Sequence, residues 1–284
     1  MFIRSKTIPH WAWISLISNG LLLFIVIGLM IQRQSISSTT SVSPLTDVVQ
    51  ATQLQSMPES TLMNSPVTPR HRWTYEQWVE QLKREADAVA TKAPEHLNIL
   101  VGDSLSLWFP AELLPAEQTW LNQGISGEIS AGLLKRVKLF DITQPDRIFV
   151  MIGINDLIRG VDDTILLNNY REIIRDLRWV HPDTQIVVQS ILPHSGKQSN
   201  WEGRDRLLKI SNQRIRHLNQ VLKLIAEEEG AYYFNLHPLF TDADGNLRPE
   251  LSTDGLHLSQ QGYLVWSSAL KLYTQIALEE SSNP

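Results

Sequence analysis

The chain has 284 residues, 43% of them hydrophobic, which is enough for one good-sized domain with a substantial core. Its formal net charge of -5 argues against nucleic acid as the main partner, because phosphate binding needs clustered Lys and Arg. It contains no cysteine, which excludes disulfides, zinc–thiolate sites and thiol nucleophiles.

The first element is WAWISLISNGLLLFIVIGLMI, Trp11 to Ile31, a run without a charged residue. As a helix it would reach roughly 32 Å, about the thickness of a bilayer core. Arg4 and Lys6 precede it and only Arg33 follows closely. The positive-inside rule then places residues 1–10 in the cytoplasm and everything after Ile31 outside, on the periplasmic or cell-envelope side. The rival is a cleaved signal peptide, which has a shorter apolar core and a small-x-small cleavage site. MIQRQSISS offers a poor site, so an uncleaved transmembrane signal-anchor over 11–31 is the expectation. Residues 32–70 are rich in Ser, Thr, Gln and Pro with sparse charge, and are expected to form a disordered linker. Such a coil spans roughly 35 Å root-mean-square. The remaining domain is 71–284.

Within it, Thr74 to Ala90 has apolar residues at helical spacing and reads as an amphipathic helix. HLNILVG, ending at Gly102, reads as a buried strand, and TWLNQG (Thr119 to Gly124) as a shorter one. GEISAGLLKRVKLF (127–140) is helical, DRIFVMIG (146–153) a strand and Thr164 to Val180 a helix. TQIVVQSILP (184–193) is the fourth strand. Arg206 to Glu229 reads as one long helix stopped at Gly230. AYYFNLHPLF (231–240) is the fifth strand, and Ser259 to Leu278 closes with a helix. Continuous apolar strands alternating with helices indicate a parallel sheet covered on both faces, an α/β fold. Ligands of such folds bind outside the carboxyl ends of the strands. Ser104, Gly124 and Asn155 all fall at that edge.

Ile99 to Pro110, ILVGDSLSLWFP, delivers Gly, Asp and Ser at a strand end. These are common turn residues. Ser104 is also placed as a nucleophile would be. A serine needs a base, a group to orient that base, and donors for the oxyanion. STDGLHLS sets Asp254 three residues before His257, within reach of its imidazole. NQGISG offers a close-approaching backbone at Gly124, and GIND the amide of Asn155, which could instead cap the following helix. Asp156 can also cap it, leaving Asn155 free. Asp103 reads as a brace for the turn.

With these blocks in order, the chain resembles the SGNH hydrolases, or GDSL esterases and lipases, over about residues 96–275. The blocks are Gly102-Asp103-Ser104-Leu105, Gly124 within NQGISG, Gly153-Ile154-Asn155-Asp156, and Asp254-Gly255-Leu256-His257. The resemblance implies a flavodoxin-like three-layer α/β/α sandwich with five parallel strands. It implies Ser104 as nucleophile, His257 as general base and Asp254 as the orienting acid. The Ser104 and Gly124 amides and the Asn155 side chain would form the oxyanion hole.

Trp108 and Trp201 could form an apolar acyl or sugar platform, with core packing as the alternative; Trp108 is the nearer to Ser104. His194 could line the substrate pocket or sit in an exposed loop. His237 is expected to be satisfied near the surface. DADGN (242–246) lacks the glycine and glutamate of a calcium loop and reads as a plain turn. No metal or cofactor is expected.

The expected activity is membrane-anchored ester hydrolysis through an acyl-enzyme. The partner is an ester-bearing lipid, such as a lysophospholipid or short-chain acyl ester, or an O-acetylated envelope glycan. The same Ser-His-Asp site could act as an O-acyltransferase to a sugar hydroxyl. A non-catalytic tethered binding module is the third reading, disfavoured by the intact blocks.

Overall fold

A computed structural model describes residues 73–275. The expected transmembrane segment, the linker and the end of the last helix lie outside the described residues. Among those described, no helix is long and apolar enough to cross a membrane.

Helix α1 (Tyr75–Lys92) opens on a capping box. The Thr74 hydroxyl accepts from the Gln77 amide, and the Gln77 side chain accepts from the Thr74 amide. Strand β1 (Leu97–Gly102) follows, then a single helical turn, α2 (Ser104–Leu107), and β2 (Thr119–Gly124). Next come α3 (Ser130–Arg136), β3 (Arg147–Met151), the short α4 (Ile154–Ile158) and α5 (Asp163–Val180). Strand β4 (Gln185–Gln189), α6 (Arg204–Leu207), α7 (Asn212–Glu228) and β5 (Tyr232–Phe234) complete the sheet and its cover. The short α8 (His237–Phe240) and α9 (Gln260–Tyr273) follow.

The five strands are all parallel, in the order β2-β1-β3-β4-β5. This is the flavodoxin-like order that the resemblance implied. Alternation along each strand divides the core in two. Ile99, Val101, Ile148 and Val150 meet apolar residues of α1, α3, α5 and α7. Leu100, Phe149 and Val187 face the opposite way, against Tyr263, Trp266 and Leu270 of α9. Both faces are covered, which explains why the strands read as continuous apolar runs.

Four expected elements differ. The helix expected from 127 begins at Ser130, because Ser126–Ile129 turn back toward α4. The long helix expected over 206–229 is two helices, because the Ser211 hydroxyl accepts from the Arg214 amide and starts a new one. Strand β4 ends at Gln189, and β5 is three residues long rather than ten. After Phe234 the chain turns into α8, which carries Pro238 in its first turn, where proline is tolerated.

Candidate active site

Reversal of strand order beside β1 opens a crevice at the carboxyl ends of β1 and β3. Asp103 leaves β1 there and caps α2, its Oδ1 accepting from the Leu105 amide at 3.0 Å. Ser104 is therefore the first residue of a helical turn, with an amide that has no intrahelical partner. Three neighbours hold this turn. Asn122 Nδ2 donates to the Ser106 carbonyl at 2.6 Å, and the Tyr263 hydroxyl donates to the Leu105 carbonyl at 3.0 Å. Gly124 packs under it, where an added Cβ would stand 2.4 Å from Leu107 N.

The turn from Thr253 to Leu258 brings the fourth block to the same place. His257 Nε2 lies 3.2 Å from Ser104 Oγ, and its Nδ1 lies 2.7 Å from Asp254 Oδ2. The other carboxylate oxygen of Asp254 accepts from the Leu256 and His257 amides at 2.9 and 2.7 Å. Burial alone would raise the Asp254 carboxyl. Hydrogen bonds from the His257 ring and from those two amides outweigh it and hold the pKa below the usual carboxylate value. The Asp254 carbonyl in turn accepts from the Asn200 and Trp201 amides, each at 2.9 Å. Two residues 153 positions apart thus meet, and carboxylate, imidazole and hydroxyl form one chain of contacts.

Asn155 lies in the first turn of α4. Its Nδ2 is buried and has no hydrogen-bond partner among the described residues. A buried donor without a partner costs free energy unless a ligand takes it. As expected, Asn155 does not cap this helix, but neither does Asp156, which the sequence offered for that role; the cap residue is Gly153, with no side-chain bond. Asp156 instead accepts from the Ser130 amide at 2.9 Å and hydroxyl at 2.5 Å, which binds the start of α3 to α4.

Gly124 does not offer its amide. That N–H donates to Asn122 Oδ1 at 2.9 Å, so it is spent within the scaffold. The second glycine of NQGISG is different. Gly127 has φ +74°, a backbone that L side chains rarely adopt, and its amide donates to no group among the described residues. Its carbonyl accepts from Arg159 Nη2 at 2.6 Å, which fastens this loop to the end of the Asn155 helix. Sequence reasoning placed the donor at Gly124 and passed over Gly127, because the side-chain contact that occupies the Gly124 amide is not visible in a glycine pattern.

Beneath the site lies a buried charged cluster. Arg136 donates to Glu128 at 2.8 Å and to the carbonyls of Gln123 and Gly102, tying the ends of β2 and β1 together. Burial pushes the Arg136 guanidinium down, against the pull of Glu128. Burial pushes the Asp103 carboxyl up to about 7, with Asp156 and Glu128 adding to the rise and the Leu105 amide opposing it.

Trp108 is 42% exposed and stands against His257, ring centroids 4.3 Å apart. Trp201 packs on the core instead, with Arg206 over its ring. His194 lines a cavity with Lys197, Asn212 and Arg216, and that cavity does not include Ser104. His194 is buried, Nε2 is 2.9 Å from the Ile210 carbonyl, and Nδ1 accepts from the Gly196 amide at 3.0 Å, so both ring nitrogens are used. His237 is also buried rather than superficial; its Nε2 has no partner among the described residues, and burial, then the Arg216 charge, lowers its pKa to about 4. The 242–246 segment is a turn in which Asp242 Oδ1 accepts from the Asp244 and Asn246 amides.

Residues 100–265 match the model of the GDSL-like lipase/acylhydrolase family. The chain belongs to that family, and it is a serine esterase that hydrolyses ester bonds. Among solved structures it is similar to a Streptococcus pneumonia protein assigned as a platelet activating factor. That match has 30% identity and a TM-score of 0.62, covering 70% of this chain and 95% of the other. A Bacteroides fragilis protein assigned as an acylhydrolase shares the fold at 17% identity and a TM-score of 0.58, covering 71% and 98%. A GDSL-like lipase from Bacteroides thetaiotaomicron does so at 18% and 0.56, covering 70% and 99%. No curated protein matches the chain.

Proposed function

We propose that the protein is a membrane-anchored, extracytoplasmic esterase in which Ser104 is the nucleophile. His257 takes the Ser104 proton as Oγ bonds to the ester carbonyl carbon, and Asp254 orients the imidazole and balances its charge. The carbonyl oxygen becomes an oxyanion facing the Ser104 and Gly127 amides and Asn155 Nδ2. His257 then returns the proton to the departing alkoxide. Water, deprotonated by the same base, attacks the acyl carbon, and His257 passes that proton to Ser104 Oγ as the carboxylic acid departs. The observation that carries this reading is the 2.7 and 3.2 Å relay from Asp254 through His257 to Ser104. The partnerless buried amide of Asn155 supports it.

The substrate we propose is an acyl or acetyl ester at the cell envelope, either on a lipid or on an O-acetylated glycan. The support is the uncharged Trp11 to Ile31 run and the positive charges before it. The domain division at 10, 31 and 70 belongs to the same proposal. The test is turnover of p-nitrophenyl esters of increasing chain length, beside an O-acetylated glycan, by full-length protein and its Ser104→Ala variant. Ser104→Ala should abolish turnover; retained activity sinks the nucleophile assignment. Acylated sugar formed only when a carbohydrate acceptor is added would make the enzyme an acyltransferase instead.

A further inference from the structure

Trp108 ends α2 four residues after Ser104, and its amide donates to the carbonyls of Ser104 and Ser106. The backbone that carries the indole is therefore the backbone that carries the nucleophile. The indole bears on the imidazole of His257 with centroids 4.3 Å apart and planes inclined at 44°. The imidazole is held from three directions: Asp254 Oδ2 at Nδ1, Ser104 Oγ at Nε2, and the Trp108 ring beside it. Among the described residues, Asp254 is the one charged group in hydrogen-bond or ion-pair contact with that ring.

An aromatic face carries negative electrostatic potential and attracts a cation far more than a neutral ring. The contact therefore strengthens when the proton passes from Ser104 Oγ to His257 Nε2, and relaxes when that proton leaves on the alcohol. We propose that Trp108 is a positioning residue for the base. It keeps the imidazole in line between Asp254 and Ser104 and favours the imidazolium that forms during acylation and deacylation. This rests on His257 being the base for Ser104.

The test compares full-length wild type with Trp108→Leu and Trp108→Phe. Leucine keeps an apolar cover beside the imidazole and removes the aromatic face, whereas phenylalanine keeps a face. The His257 ring is titrated by NMR in protein labelled at histidine, in a Ser104→Ala background so that turnover plays no part. Trp108→Leu should move the midpoint to lower pH by about 0.4–0.7 unit, the size of one cation–aromatic contact at a half-exposed site. Trp108→Phe should recover most of that shift. With Ser104 present, the kcat/KM profile on p-nitrophenyl acetate should move by the same amount, and kcat on the alkaline plateau should fall while KM stays. An unmoved titration in Trp108→Leu overturns the proposal. So does an unchanged plateau kcat with a raised KM, which would make the indole only a wall for the acyl group. A shifted titration that the kinetic profile fails to follow overturns the base assignment rather than the contact. If Trp108→Leu does not fold, Trp108→Met makes the same comparison.

Discussion

In the proposed mechanism neither Ser104 nor His257 is worth much without the other, since a hydroxyl 3.2 Å from a missing base is an ordinary alcohol. Ser104→Ala and His257→Ala should each cost several orders of magnitude in kcat, and the double variant should be little worse than either. Losses that multiply would show that the two do not act as a unit. Asn155 is separable from them. Its Nδ2 has no hydrogen-bond partner among the described residues, so under the proposed mechanism Asn155→Ala removes a donor that serves the oxyanion alone. It should lower kcat about 10²–10³-fold with KM little changed, measured on p-nitrophenyl acetate. A raised KM with intact kcat would instead place Asn155 on the ground-state substrate. These residues were legible because short spacings carry them: three positions from Asp254 to His257, and strand ends before Ser104 and Asn155. The choice between Gly124 and Gly127 was not legible. It depends on whether the Asn122 side chain turns back onto its own strand end, which a pattern of glycines does not encode.

Strand ends are where this fold concentrates its buried charge. Asp103 is fully buried between β1 and α2, and its carboxyl is raised to about 7 by burial and by nearby Asp156 and Glu128. In the unfolded chain the same group ionises near 4. Between those values the unfolded state has lost a proton that the folded state keeps. Stability from this group is therefore complete below about pH 4 and falls as pH rises towards 7, by up to about 1.4 kcal/mol per unit. Asparagine can still accept from the Leu105 amide but carries no proton equilibrium. Asp103→Asn should thus flatten the decline of thermal midpoint between pH 5 and 7; equal slopes in the two proteins would mean that Asp103 folds ionised. Element boundaries were harder to read than this chemistry. The apolar period continues across Ile210 and Ser211, so only the hydroxyl taken up by the Arg214 amide ends one helix and starts another. Beyond Phe234, apolar residues continue through Leu239 to Phe240, but they serve a helix rather than the sheet.

For the whole molecule, parallel strands with both faces apolar announced a covered sheet, yet strand order depends on pairings between distant segments and became an expectation only through the family resemblance. The proposed anchor rests on something else, the length and flanking charge of one apolar run. Trp11 to Ile31 is long enough to span and carries no charge, and Arg4 and Lys6 lie before it. Full-length protein should therefore sediment with membranes and resist extraction by high salt or carbonate, because apolar burial in a bilayer is insensitive to both. Protease added from the outer side should cut between Gln32 and Arg70, where Ser, Thr and Pro dominate, and release an active body. That body should survive, since its five strands are packed on both faces by helices. A mature protein beginning near Ser35 in the soluble fraction would refute the anchor and leave a secreted esterase. Protection of the body in sealed, outside-out vesicles would reverse the orientation, and the envelope lipid or glycan would then be out of reach of Ser104.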